Sequence, residues 1–317
     1  MKKLLLLLLT VMLMPPVAGK AQENKLVIIA TNFPAFDFAR EIAGDKADVS
    51  MLLPPGAEAH SYEPSPRDIV AVSEADLLIY NGGHGDFWVD GILASFGDRA
   101  PESLAMMDCV DTVSEEVVEG MEEEPEVHHH EEHEAHEEHE EEDLDEHVWT
   151  SPLNAAGIAE AIAGRLTQLD PENTVYYQNR LDDYTGQLIS LDRDFREKIQ
   201  QAKRSTIVLG DRFPMRYFTR EYGLDYYAAF PGCSAQTEPS ARTLAFLMDK
   251  IREENIPVVF FIEFSSRRSS SIIASETGAV PLLLHSAHNV SQADLDRGMT
   301  YLTIMRENLK NLEEALN

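Results

Sequence analysis

The apolar positions along the chain follow two patterns: short runs of strand length, and longer segments with apolar residues every three or four positions. In the first third, KLVIIATNFPAFDFAREIAG predicts a buried strand followed by a helix. ADVSMLLPP predicts a second strand, and SPRDIVAVSEADLLIYNGG a helix that leads into a third. Strands that alternate with helices in this way predict parallel sheets covered by helices.

A long helix is predicted near the middle of the chain. The segment 171–203 begins with Pro171, contains no internal proline and has only Gly186 as a potential helix breaker. A helix of about thirty residues measures about 45 Å, which is longer than most helices of globular proteins. It therefore predicts a rigid strut between two lobes.

The second half repeats the alternation of strands and helices. STIVLGD, PVVFFIEF and VPLLLH predict strands, and RYFTREYG, ARTLAFLMDKIREENI, SSSIIASETGA and GMTYLTIMRENLKNLEEAL predict helices. The predicted fold is α/β, with two lobes, each a mostly parallel sheet covered by helices, joined by a long rigid linker helix. We expect a first lobe at 24–170, the linker at 171–203 and a second lobe at 204–317.

The amino-terminal segment is typical of an export signal. Lys2 and Lys3 precede an apolar run from Leu4 to Met14, which is followed by prolines and small residues. This pattern predicts a secretory signal peptide over 1–21. The apolar run is too short to span a bilayer comfortably. No cysteine near the expected cleavage site offers a lipid anchor. We therefore expect a protein released into a bacterial periplasm.

A glutamate-rich tract at 115–146 interrupts the first lobe. It has little to bury, so its composition predicts a disordered surface loop. Imidazoles bind zinc and similar ions, and the surrounding carboxylates concentrate cations. The tract therefore indicates metal collection, the alternative being an acidic linker with incidental histidines. The loop histidines are His128, His129, His130, His133, His136 and His139.

Charge and cysteine usage narrow the choices further. The formal charge of -30 argues against nucleic acid as a partner and agrees with cation capture or with solubility alone. Cys109 and Cys233 are the only cysteines. In an oxidising compartment they can pair and tie the lobes together, but two separate buried thiols are an equal alternative.

Two segments resemble the metal-ligand motifs of one protein family. GAEAHSYEPSPRDIVAVSEADLLIYNG surrounds His60, and DEHVWTSPLN surrounds His147 directly after the histidine-rich loop. Together with the final helix, they resemble the cluster A-I solute-binding proteins, the zinc- and manganese-binding components of bacterial ABC importers. The resemblance covers almost all of the mature chain. It implies that His60 and His147 bind a metal between the lobes.

The residues themselves support these two positions. His60 lies in a loop that leaves a predicted strand, where ligands bind in open α/β sheets. His147 ends the acidic tract, and the nearby Trp149 can fix its position by burial. The alternatives are a surface histidine at position 60 and, at position 147, one more member of the loop cluster.

The second lobe departs from the family pattern. At the third ligand position, the segment GDRFPMRYFTREYGL places Arg212, whose guanidinium has no lone pair for a metal. Asp211 is the adjacent carboxylate that can substitute. The alternatives are an Asp211–Arg212 ion pair that shapes the cleft, or a water molecule as the last ligand.

The fourth ligand position falls in PLLLHSAHNVS. We expect His285 to be the ligand, with His288 as the alternate, since one of the two can instead hydrogen-bond the loop. Glu263, at the end of a predicted strand, is expected to organise the cleft loops.

A nitrogen-rich ligand set favours zinc over manganese, which prefers carboxylates. The sequence thus predicts a monomeric zinc receptor, not an enzyme, that delivers metal to an ABC importer permease. The alternatives are a manganese receptor of the same family, a zinc enzyme and an adhesin. Against an enzyme, the chain has no H-E-x-x-H motif.

Overall fold

The computed structural model describes residues 25–121, 144–232 and 238–317. These residues form two four-stranded sheets whose strands pair in parallel and are covered by helices. The predicted α/β class with two parallel sheets is therefore confirmed. We use "first lobe" and "second lobe" for the elements around each sheet.

The first lobe has the strand order β2-β1-β3-β4. Strand β4 was not expected, because its four residues, ESLA, carry two polar side chains and no apolar run. The elements of this lobe are β1 (Leu26–Ala30), α1 (Phe33–Ala43), β2 (Ala47–Met51), α2 (Pro66–Ser73), β3 (Leu77–Tyr80), α3 (Trp88–Phe96), β4 (Glu102–Ala105) and α4 (Pro152–Leu169).

A long helix, α5 (Thr174–Gln200), connects the lobes, after a 3₁₀ turn at Pro171–Asn173. Its 27 residues correspond to about 40 Å of helix. It packs against α1 and α4 of the first lobe and against the helices Arg216–Tyr222 and Tyr301–Leu316 of the second. The buried apolar side chains recur at helical spacing: Tyr177, Leu181, Tyr184, Leu188, Leu191 and Phe195.

The second lobe has the strand order β6-β5-β7-β8. Strand β5 contains both Asp211 and Arg212, and its pairing with β6 is irregular between Leu209 and Arg212. Strand β6 was not identified from the sequence. The elements are β5 (Thr206–Phe213), α6 (Arg216–Tyr222), β6 (Asp225–Pro231), α7 (Ala241–Glu254), β7 (Val258–Phe261), α8 (Arg268–Thr277), β8 (Val280–Leu283), α9 (Gln292–Asp296) and α10 (Tyr301–Leu316).

Buried hydrogen bonds join the two lobes beside the cleft. The Trp149 indole donates to the carbonyl oxygen of Ser286 at 2.8 Å, and the Tyr301 hydroxyl donates to the carbonyl oxygen of Trp149 at 2.7 Å. Trp149 and Tyr301 are fully buried. The first-lobe segment around position 149 is therefore held directly against the second lobe.

Several sequence predictions fall on residues that the structure does not describe. They concern the signal peptide at 1–21, the six loop histidines from His128 to His139, and Cys233. The other cysteine, Cys109, donates its thiol to the Ala105 carbonyl oxygen at 3.2 Å, and burial raises its pKa to about 11. Within the three described ranges, none of the helices combines the length and hydropathy that a bilayer span requires.

Candidate metal centre

Three histidines meet where the lobes face each other. His60 lies in the loop between β2 and α2, His147 directly before a 3₁₀ turn and α4, and His288 in the loop between β8 and α9. One ring nitrogen from each lies within 4.8 Å of the others. The ring centroids are 5.2 to 5.6 Å apart. The structure thus forms a compact group of three imidazoles from both lobes.

A buried carboxylate orients His147. Asp145 Oδ1 lies 3.2 Å from Nδ1 of His147 and accepts a hydrogen bond from its backbone N–H at 2.8 Å. Both side chains are 1% exposed. The contact fixes the ring and leaves Nε2 for a metal, as carboxylate–histidine pairs do in zinc sites. Gly232 packs on the same ring, where an added Cβ would meet Cε1 at 3.2 Å.

The loop that carries His60 is attached to the second lobe. The Asn289 amide donates to the carbonyl oxygens of Pro54 and Ala57, at 2.8 and 2.9 Å. The Gly56 N–H donates to the Val290 carbonyl oxygen at 2.9 Å. These bonds hold the loops of His60 and His288 together as one unit.

The loop that carries His288 has an unusual backbone. Ala287 adopts a φ of 61°, a left-handed conformation that is uncommon for residues other than glycine. The Ser286 hydroxyl accepts the N–H of His288 at 3.1 Å, and Glu263 accepts the N–H of Ser286 at 2.8 Å. The Trp149 ring packs against the His288 ring at 4.8 Å. Glu263 and Trp149 thus fix the reversal that turns His288 toward the other two histidines.

The expected ligand His285 does not join this group. The Ala287 N–H donates to His285 Nδ1 at 2.9 Å, and Asn308 hydrogen-bonds both the N–H and the carbonyl oxygen of His285. His285 therefore stabilises the loop. The left-handed Ala287 lies between the two histidines. The structure brings the alternate, His288, into the group, where the sequence favoured His285.

Asp211, the candidate carboxylate ligand of the second lobe, also lies outside the group. Its Oδ1 accepts the Arg212 backbone N–H at 2.9 Å, and burial raises the pKa of its carboxyl. The guanidinium of Arg212 turns across the cleft to Glu58, with Nη2 2.8 Å from Oε2. The ion pair at position 212 is thus with Glu58 of the first lobe.

The surroundings keep His60 and His288 uncharged. Burial lowers the pKa of His60 to about 4, and the neighbouring His147 and the Arg212 cation act in the same direction. Burial lowers the pKa of His288 well below its usual value. Both imidazoles are therefore neutral near neutral pH and offer a lone pair to a metal.

The arrangement supplies three nitrogen donors, and a tetrahedral ion would have a fourth position open. Neutral imidazoles suit zinc and the later transition metals better than manganese. Sequence reasoning missed the supporting carboxylates Asp145 and Glu58. A signal was present, because each lies two residues before its histidine, in D-E-H and E-A-H.

Comparison with known proteins identifies the class. Residues 28–315 match the family described as zinc-uptake complex component A, periplasmic, so the chain belongs to that family. This confirms the expected zinc-binding receptor class, a substrate-binding component of zinc uptake.

Individual relatives agree. The chain is 33% identical over 299 residues to the high-affinity zinc uptake system protein ZnuA of Bacillus subtilis, covering 94% of this chain and 90% of that protein. It is 30% identical to the zinc-binding lipoprotein AdcA of Streptococcus pneumoniae, but spans only 61% of its length. The Zn(II)-bound ZnuA-like domain of AdcA superposes with a TM-score of 0.75 at 26% identity, covering 92% of this chain and 99% of that domain.

Proposed function

We propose that His60, His147 and His288 bind one Zn²⁺ between the lobes as transported cargo. The observation that carries this proposal is the meeting of three imidazole nitrogens within 4.8 Å at the lobe junction. The Asp145 contact to His147 supports it, because such contacts raise the basicity of a ligating imidazole. Water or the delivery partner would take the fourth position.

We further propose that the chain acts in a periplasm as a monomer and delivers zinc to the membrane permease of an ABC importer. The family description, zinc uptake in the periplasm, supports this role. The family's role in zinc uptake supports the proposal that zinc is cargo here.

Release of the ion is expected to involve local motion. The hydrogen bonds from Asn289 to Pro54 and Ala57 tie the loops of His60 and His288 together, and α5 packs on both lobes. Wide separation of the lobes would break these partly buried hydrogen bonds. A smaller shift of the segments opposite, around Arg212 and Phe264, leaves them intact and opens the cleft.

The acidic tract at 115–146 has a separate proposed role as a weak, many-site collector of zinc. Its composition offers many histidine and glutamate ligands and little apolar surface to bury, so we expect each binding event to cost the ordering of some chain. The fixed group of three histidines requires no such ordering. Zinc bound weakly by the tract would therefore transfer to the group of three histidines with a gain in binding free energy.

The test is metal analysis of tag-free protein, followed by competition among zinc, manganese and nickel. The proposal expects one tightly held zinc per chain that a large excess of manganese does not displace. Equal retention of manganese, or more than one equally tight zinc, would contradict it. Circular dichroism before and after metal removal checks that the fold remains intact.

A further inference from the structure

A small cavity lies against the histidine group, on the side of the first lobe. His60 and His288 form one wall, and polar residues of the first lobe form the rest. Its free volume is about 20 Å³, enough for a single water molecule or ion. We call it the carboxylate cavity and define it by Thr31, Asn81, Asp86 and Glu146.

Two acidic side chains line this cavity. Asp86 Oδ2 accepts the Asn81 N–H at 2.6 Å and the Thr31 hydroxyl at 3.1 Å, while Glu146 Oε1 accepts the Gly85 N–H at 2.9 Å. Within the described ranges, neither carboxylate forms an ion pair with a lysine or arginine. Glu146 is 3% exposed. Holding two such anions together is costly unless a cation or a proton compensates them.

Asn81 supplies an independent indication of a ligand. It is 4% exposed, and its Nδ2 donates to the Glu146 carbonyl oxygen at 2.9 Å, which fixes the orientation of the amide. Its Oδ1 is buried and has no hydrogen-bond partner among the residues that the structure describes. Buried amide oxygens almost always have a partner, so an oxygen acceptor is left for an occupant of the cavity.

The charges and donors of the cavity point to one kind of occupant. Two carboxylates and an amide oxygen are hard ligands. The imidazoles of His60 and His288, which form the opposite wall, are softer. Ca²⁺ accepts irregular sets of carboxylate, amide and water oxygens, whereas Mg²⁺ requires a nearly ideal octahedron. A divalent ion also neutralises two carboxylates without requiring a proton.

We propose that the carboxylate cavity binds a hard divalent cation of the Ca²⁺ class through Asp86, Glu146 and Asn81. This site is chemically distinct from the three-histidine centre, and it does not depend on the transport role proposed above. A protein with both sites would hold two ions of different classes in adjacent cavities, sorted by ligand type.

Terbium luminescence tests the proposal in the full mature chain. Tb³⁺ substitutes for Ca²⁺ at oxygen sites and emits when a nearby aromatic ring absorbs light. Tyr62 lines the carboxylate cavity, and its ring packs against Trp88 at 6.2 Å. The acidic tract at 115–146 contains no aromatic residue of its own, but the Tyr226 hydroxyl contacts Glu116 within it. Emission from Tb³⁺ bound to the tract is therefore the part that the cavity variants below leave unchanged. We expect a saturable emission that Ca²⁺ displaces.

Variants assign the emission to the cavity. Glu146→Gln and Asn81→Ala should each lose the emission that Ca²⁺ displaces. Because two different residues are changed, the test still stands if one of the two variants misfolds. The matched control is Asp68→Asn, because Asp68 contacts the Tyr62 hydroxyl at 3.0 Å from outside the cavity. The control should retain the emission. Emission that Glu146→Gln leaves wholly unchanged, that disappears in Asp68→Asn, or that is absent from the folded parent would overturn the proposal.

Discussion

Arg212 of the second lobe forms a bidentate ion pair with Glu58 of the first lobe. Nη2 lies 2.8 Å from Oε2, and Nη1 lies 3.4 Å from Oε1. Burial alone would raise the pKa of Glu58, but Arg212 outweighs it and lowers that pKa. The pair lies beside His60, so a permanent cation and its counterion border the proposed metal site. Position 212, which cannot bind a metal, instead connects the lobes and contributes charge.

The two members of this pair should affect zinc affinity in opposite directions. Arg212→Gln removes a positive charge that repels the ion, so zinc affinity should rise by about two- to tenfold. Glu58→Gln leaves the guanidinium without a counterion, and affinity should fall by a similar factor. Calorimetric titration at low and high salt measures both, and salt should reduce both effects.

Arg216→Gln is the matched control, since Arg216 forms a comparable ion pair with Glu116 at 2.8 Å but does not line the cavity that the three histidines share with Arg212. It should leave zinc affinity unchanged. A decrease in affinity for Arg212→Gln would mean that the Glu58–Arg212 pair is needed to assemble the site, and that its charge is secondary.

Asp145→Asn should weaken zinc binding by about ten- to a hundredfold, the range seen when the carboxylate partner of a ligating histidine is removed. The amide can still accept a hydrogen bond, but it no longer stabilises positive charge on His147. Asp211→Asn is the control, because this carboxylate is also buried near the cleft yet lies outside the histidine group. Competition against a zinc chelator measures both. Equal losses in the two variants would place Asp211 among the ligands.

Asp37 should make part of the protein's stability depend on pH. It accepts hydrogen bonds from Arg40 and from the Tyr301 N–H at the start of α10, and burial raises its pKa from 3.8 to about 6. The folded state therefore binds the proton more tightly than the unfolded state. Stability contributed by this group is present below about pH 4 and is lost as the pH rises to about 6, by roughly 3 kcal/mol.

The variant Asp37→Asn isolates this contribution. Denaturant unfolding across the same pH range should show a more positive slope of stability against pH in the variant than in the parent, whatever the variant's absolute stability. Identical slopes would show that the carboxyl of Asp37 titrates normally. The exposed Asp48→Asn, which removes a surface ion pair with Lys25, serves as the control with an unchanged slope.

Deletion of 122–143 should leave the tight zinc site intact and remove several weaker equivalents. The three histidines of the centre lie outside the deleted segment, whereas the six loop histidines lie within it. Titration calorimetry of the deletion variant checks this expectation. Loss of the high-affinity phase would show that the tract supplies a ligand to the centre.

The fold could be predicted from the sequence wherever burial leaves a continuous apolar signal. VVFF in β7 and the regular apolar spacing of α5 are such cases. ESLA in β4 carries no such signal, and it pairs only because β3 already presents a parallel edge. The site was predictable at His60 and His147, where local motifs extend over many residues.

The choice between His285 and His288 could not be made from the sequence. It depends on one left-handed residue, Ala287, and on long-range contacts from Glu263 and Trp149 that turn the loop. Alanine carries no sequence signal for positive φ, unlike glycine or asparagine. The partner of Arg212 was equally hidden, because Glu58 lies 154 positions away along the chain.

The most direct test compares His288→Ala with His285→Ala in zinc titrations of otherwise identical protein. The two residues share a type and a loop, but only His288 lies in the group of three. We predict that His288→Ala loses zinc affinity by orders of magnitude, while His285→Ala retains it within a few-fold despite some loss of thermal stability. Tight binding that survives His288→Ala and disappears in His285→Ala would contradict the proposed centre.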